Sequence, residues 1–173
     1  MAQTKMEGEE KEYQILVKSI ETDAHTEHKL RTIEGRDRSN GHILWTIEFD
    51  FFNKVLRSNP DYMLSNALNE IREEIEPKGF RIGVRWAEID AHQSGMLGDM
   101  SAGSLMYLGR EVDEINNKAN HIGGYPSYHI LEATSIEKAV TLDVQKKYLV
   151  EWRKEYRKGL KPKRNWIQRL LGK

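Results

Sequence analysis

The sequence predicts an α+β fold, a mainly antiparallel sheet of four to five strands with helices packed on one face. Three observations carry that prediction. Short apolar segments with strand alternation recur at residues 13–20, 29–33, 42–49 and 80–90. Turn signals such as Asn40-Gly41 separate neighbours closely enough for antiparallel pairing. Two segments, 61–76 and a longer one from Ser135 onward, carry apolar residues at helical spacing.

Taken in order, residues 1–11 are polar and aperiodic, which predicts a mobile tail ahead of a single domain over 12–160. Residues 13–20 (YQILVKSI) supply the β-branched and apolar side chains of a first strand, and 29–33 a short second one. After Asn40-Gly41, residues 42–49 place Ile43, Trp45 and Ile47 on one strand face. Beyond Thr46 two readings compete, because Ile47, Phe51, Phe52, Val55 and Leu56 also fit a helical stripe. Asn59-Pro60 breaks that segment, since a residue before proline is pushed out of the helical region.

A helix over 61–76 follows, with Met63, Leu64, Ala67, Leu68, Ile71 and Ile75 opposite Glu70, Glu73, Glu74 and Glu76. Pro77-Lys78-Gly79 ends it. Residues 80–90 alternate Phe80, Ile82, Val84 and Trp86 against Arg81, Gly83 and Arg85, the clearest strand pattern in the chain. Residues 91–109 are rich in glycine and methionine and predict a tight loop leading into a strand at 105–108. A turn-rich connection over 116–127 and a strand at 128–133 come next. Ser135 is placed to cap a long helix whose inner face holds Ile136, Val140, Val144, Tyr148 and Leu149. Lys161-Pro162-Lys163 interrupts it, leaving 161–173 as a basic amphipathic C-terminal arm.

The chain has 173 residues and no cysteine, which excludes disulfides, cysteine-ligated zinc and thiol catalysis. It has no apolar run of membrane-spanning length, and its first residues lack the apolar core of a leader peptide, so a cytoplasmic protein is expected. Its 27 basic and 27 acidic residues balance only globally. Residues 146–173 hold eleven basic and two acidic residues, leaving 16 against 25 in residues 1–145. An acidic body with a basic arm is the asymmetry of a protein that meets a charged partner.

Chemistry concentrates between Asp90 and Tyr107. Asp90, His92 and Ser94 alternate, so a continuous strand projects an acid, a base and a hydroxyl on one face. A nucleophile and its base must approach within about 3 Å, which neighbours about 7 Å apart along one strand do not do. An Asp90–His92 metal pair, with Asp99, His121 or His129 completing the shell, is a second reading. A third uses Gly95, Gly98 and Gly103 to bring backbone N–H groups and Ser94 to an anion, although no phosphate-loop lysine follows. Against all three stands a structural loop in which Met96, Leu97, Met100 and Met106 pack inward.

The C-terminal region interleaves basic and aromatic residues. Trp152, Arg153, Arg157, Lys163, Arg164 and Trp166 are its candidate binding residues. Docking on the acidic body, a protein partner and an anionic membrane surface contacted through 161–173 all suit this composition. Nucleic acid suits it least, because the acidic body repels phosphate.

The stretch AEIDAHQSGMLGDMSAGSLMYL resembles a signature, A-x-x-D-x-x-x-S-G-M-x-x-D-M-x-x-G-x-x-x-Y, of a family of small bacterial and phage proteins with no assigned activity. The matching positions are Ala87, Asp90, Ser94, Gly95, Met96, Asp99, Met100, Gly103 and Tyr107. His92-Gln93 stands where that pattern has an aromatic residue and a proline. The resemblance implies bacterial or phage origin.

Two functions compete on this basis, ahead of a third reading, peripheral membrane association through residues 161–173. One is a non-enzymatic protein-binding module of the immunity or inhibitor type, with no cofactor. The other is a metal-dependent or small-ligand phosphoester enzyme centred on Asp90, His92, Ser94 and Asp99.

Overall fold

Alternating burial within the first three strands, with Ile15 and Val17, His28 and Leu30, and Ile47, Phe49 and Phe51 turned inward, writes the main sheet. In the computed structural model, which describes residues 9–116 and 125–157, the strands are β1 (Glu10–Ser19), β2 (His25–Arg36), β3 (Ile43–Phe51), β4 (Lys54–Arg57) and β5 (Phe80–Ile82). They pair antiparallel in the order β4-β3-β2-β1-β5. The register sets Tyr13, Leu30, Phe49 and Leu56 side by side across four strands, and Ile15 beside His28. Val17 and Ile82 close the same face at the other edge. Opposite them lies helix α1 (Leu64–Ile75), whose Leu64, Ala67, Leu68, Ile71 and Ile75 are all buried in one core with the sheet. Complete burial of each Leu or Ile contributes about 1.5–3 kcal/mol, so this face is the main source of stability.

Several expectations change here. The sheet begins at Glu10, inside the stretch expected to be mobile, and residues 1–8 lie outside the described residues. The second strand is twelve residues long, because antiparallel pairing with both neighbours overrides its charged composition. The helical alternative after Thr46 is wrong. Phe52, at φ 52°, turns the chain between Phe51 and Lys54, and β4 returns beside β3.

The clearest strand pattern is also the largest miss. Only Phe80–Ile82 joins the sheet; the chain then forms a 3₁₀ turn at Arg85–Ala87. After Gly83, whose N–H still bonds Leu16, the Arg85 and Trp86 amides turn to the carbonyls of Glu132 and Ile130. The apolar alternation is real, but the partner switches mid-segment, which alternation alone does not encode.

A second sheet follows, ordered β6-β7-β8, from β6 (Ala91–His92), β7 (Leu105–Leu108) and β8 (Tyr128–His129). The glycine-rich loop between β6 and β7 contains helix α2 (Gly95–Ser101). Helix α3 (Gly109–Asn116) comes directly after β7, where no helix was expected. The predicted strand at 128–133 shrinks to Tyr128–His129 plus a bridge from Ala133 to Val84. Ser135 precedes a 3₁₀ turn at Ile136–Lys138 and caps nothing; helix α4 spans Leu142–Arg157. The first-turn amide of Leu142 instead donates to the Glu76 carboxylate at 2.6 Å. Residues 161–173 lie outside the described residues.

Helix α2 ends on Ala102 at φ 47°, a left-handed conformation that a side chain disfavours. Ala102→Gly is expected to stabilise the protein by about 1 kcal/mol, read as a higher urea midpoint at unchanged slope.

Candidate functional site

The irregular run from Val84 to Ala91 frees several backbone carbonyls, and helix α4 answers them. Gln145, buried on its inner face, donates through Nε2 to the carbonyls of Trp86 (2.7 Å), Glu88 (3.1 Å) and Ala91 (3.3 Å). Its own carbonyl oxygen accepts from Arg72 at 2.7 Å. With its backbone so held, the segment buries Glu88 and Asp90, which are 1% and 3% exposed.

Both carboxylates face Arg110 at the start of α3. The Arg110 guanidinium donates to Asp90 Oδ1 at 2.7 Å and to Glu88 Oε2 at 2.6 Å. Its backbone N–H reaches Asp90 Oδ2 at 2.9 Å, and the Thr134 hydroxyl donates to Glu88 Oε1 at 2.8 Å. The Asp90 carbonyl accepts from the Gly109 N–H at 2.9 Å. Asp90 therefore pins the β7–α3 junction.

Burial pushes the Asp90 carboxyl above its ordinary value of 3.8, while the Arg110 N–H and guanidinium oppose the rise. A folded value above the unfolded one favours the protonated form in the native state. The stability this group contributes is complete below the unfolded value and is lost as pH climbs through the folded one. Asparagine has no proton to lose. The stability of wild type minus that of Asp90→Asn is therefore expected to fall as pH rises from 3.8, measured by urea unfolding at a series of pH values.

The other predicted site residues disperse. His92 is half-buried, its Nδ1 3.3 Å from the Asp90 carbonyl oxygen and its ring 4.9 Å from that of Trp152. Ser94 caps α2, accepting the Leu97 N–H at 3.2 Å. Asp99 is exposed on α2. His129 stacks on Tyr13 with ring centroids 5.9 Å apart, and burial lowers its pKa. Among the described residues no three His, Asp or Glu side chains gather as a metal shell, and His121 lies outside them.

Trp152 is not a surface residue. Tyr148 and Trp152, one turn apart on the inner face of α4, are 3% and 6% exposed. Arg153 is exposed beside it. Arg157 ends the helix, and Lys163, Arg164 and Trp166 lie outside the described residues.

What the sequence did not announce is an open groove between the β2–β3 turn and α2. It encloses about 810 Å³ and is walled by His42, Trp45, Tyr62, Met63, Asp99 and Met100. Gly98 and Gly103 let α2 sit against the start of α1, because a Cβ on either meets Met63 within 3 Å. That close approach turns Met96 and Met100, four residues apart on α2, out to 73% and 82% exposure. Compared with known proteins, the chain matches no family model and no curated protein. The site must be read from its own geometry. No helix among the described residues is long and apolar enough to cross a membrane.

In the glycine-rich stretch, then, one side carries the buried Asp90 cluster and the other an exposed apolar lip. The methionines expected to pack inward divide: Met106 is fully buried, whereas Met96 and Met100 face solvent.

Proposed function

We propose that this chain is a non-enzymatic cytoplasmic protein-binding module, of the immunity or inhibitor type, from a bacterium or phage. The observation that carries the reading is the groove with its methionine lip. Met100, 82% exposed, lines an aromatic-walled concavity, and Met96, 73% exposed, lies one turn before it on α2, an exposed apolar pair of the kind found at contact sites. Thioether side chains repack cheaply against varied partners, which suits recognition better than catalysis.

The acid, base and hydroxyl of residues 90–94 support the same reading from the other direction. Asp90 is committed to Arg110, His92 lies against Trp152, and Ser94 caps a helix. The acidic excess of residues 1–145 suits a basic partner, such as a nucleic-acid-acting protein that this chain blocks. The signature from Ala87 to Tyr107 supports the bacterial or phage origin.

Affinity capture from the native host with the full chain tests the reading. A stoichiometric partner retained by wild type and by Val55→Ser, but lost with Met100→Glu, is the expected result. Recovery of no stoichiometric protein, or capture indifferent to Met100→Glu, overturns it. Met100 is 82% exposed, so that substitution leaves folding intact.

A further inference from the structure

We infer that the groove between the β2–β3 turn and α2 takes an apolar peptide segment bearing a lysine or arginine, supplied by a partner protein; this rests on the protein-binding reading above. Asp99 decides the charge. It sits in the last turn of α2, the negative end of the helix, where a carboxylate is unfavourable, and that turn holds no basic residue. Its side chain is exposed and has no ion pair or hydrogen bond to any described residue. A cation from outside resolves that local conflict.

The surroundings agree. Among the described residues no lysine or arginine lines the groove, although the Arg36 guanidinium donates to the carbonyl of Gly41 on its wall at 3.4 Å. Tyr62 on the wall donates its hydroxyl to Asp37 at 2.7 Å, and Ser39 adds its N–H at 2.8 Å and its hydroxyl at 2.7 Å. These donors hold the Asp37 carboxyl down to about 2, so a second negative charge persists nearby through the physiological range. The aromatic walls accept a guanidinium or ammonium over their faces as well as the methylene stem that carries it. Met63 and Met100 supply the apolar contact for the flanking side chains.

Panning a phage-displayed dodecapeptide library against the immobilised full chain identifies what the groove selects. Synthetic versions of the enriched peptides are then titrated by fluorescence anisotropy. The expected result is enrichment of Lys or Arg beside Leu, Met or aromatic residues. Affinity should fall about tenfold or more with Asp99→Lys and several-fold with Met100→Ala, weaken with added salt, and stay unchanged with Val55→Ser on β4. Enrichment of acidic or uncharged peptides overturns the inference, as does affinity indifferent to Asp99. If peptides bind and only Val55→Ser weakens them, the chain remains a binding module and the groove assignment is overturned alone. Failure to enrich any peptide overturns the inference outright. A peptide of residues 161–173 that outcompetes every selected sequence with the same Asp99 dependence overturns the partner assignment in favour of the chain's own arm.

Discussion

Replacing Arg72 by alanine is expected to remove about 3–5 kcal/mol of stability, the loss typical when one partner of a buried ion pair is deleted. Arg72 is 0% exposed and lies inside the molecule between α1 and α4. Its Nε donates to Glu76 at 2.7 Å, one Nη to Gln145 at 2.7 Å, and the other to the Val140 carbonyl at 2.9 Å. Burial lowers its pKa and Glu76 opposes that fall, so the guanidinium stays charged. Without it, the Glu76 carboxylate keeps, among the described residues, the Leu142 N–H alone, and Gln145 loses the contact that orients its amide toward Trp86, Glu88 and Ala91. A single domain holds only about 5–15 kcal/mol in total, so the urea midpoint should drop by a large fraction. Arg72→Ala combined with Glu76→Gln should cost less than the two losses added, because the second change removes the stranded charge. A loss below about 1 kcal/mol for Arg72→Ala would mean the network is not formed as described.

The sequence contains a trace of this network. Arg72 stands four residues after Leu68 and four before Glu76, inside the apolar stripe of α1 rather than opposite it. The helical stripe places Glu76 on the outer face, but its side chain, 8% exposed, turns in to the guanidinium one turn away. The second partner of Arg72, Gln145, is 73 residues away, and no local pattern announces that distance. The main sheet was legible for the opposite reason. Alternation in β1 and β3 and the stripe of α1 are written within each segment, and the α+β class followed from them. Where a segment changes partner midway, as residues 80–90 do at Gly83, period alone misleads.

The candidate site divides along the same line. Residue type singled out the stretch from Asp90 to Tyr107 as the unusual part of the chain. It did not show that Arg110 closes over Asp90 and Glu88, since one arginine among 27 basic residues carries no mark. Nor did it show the groove, which needs the β2–β3 turn and α2 to meet across about sixty residues of chain. Trp152 was misplaced because its basic neighbours suggested a surface, while its helical phase with Tyr148 puts it inside.

Gly103→Ala is expected to destabilise the protein by about 3 kcal/mol and to disrupt the groove. Gly103 follows Ala102 into the left-handed region at φ 75°, where a side chain costs about 1–2 kcal/mol. A Cβ there would lie 2.8 Å from the Leu64 nitrogen, 2.8 Å from Met63 Cα and 2.9 Å from Met63 Cβ. Two of those atoms are backbone at the start of α1, fixed where Leu64 N–H bonds the Ala102 carbonyl at 3.0 Å. Neither can swing aside, so α2 must lift off α1 or the turn must unwind. Gly98→Ala provides the contrast. Its nearest obstacle is the Met63 Cε at 2.6 Å, the far end of a flexible side chain that can change rotamer. Alanine also favours a helical position over glycine by about 1 kcal/mol, which offsets part of the crowding at Gly98. Gly98→Ala should therefore stay within about 1 kcal/mol of wild type. Urea unfolding of the two variants separates backbone collision from side-chain crowding. Amide exchange on α2 should quicken in Gly103→Ala alone, and equal protection in both would place the constraint elsewhere.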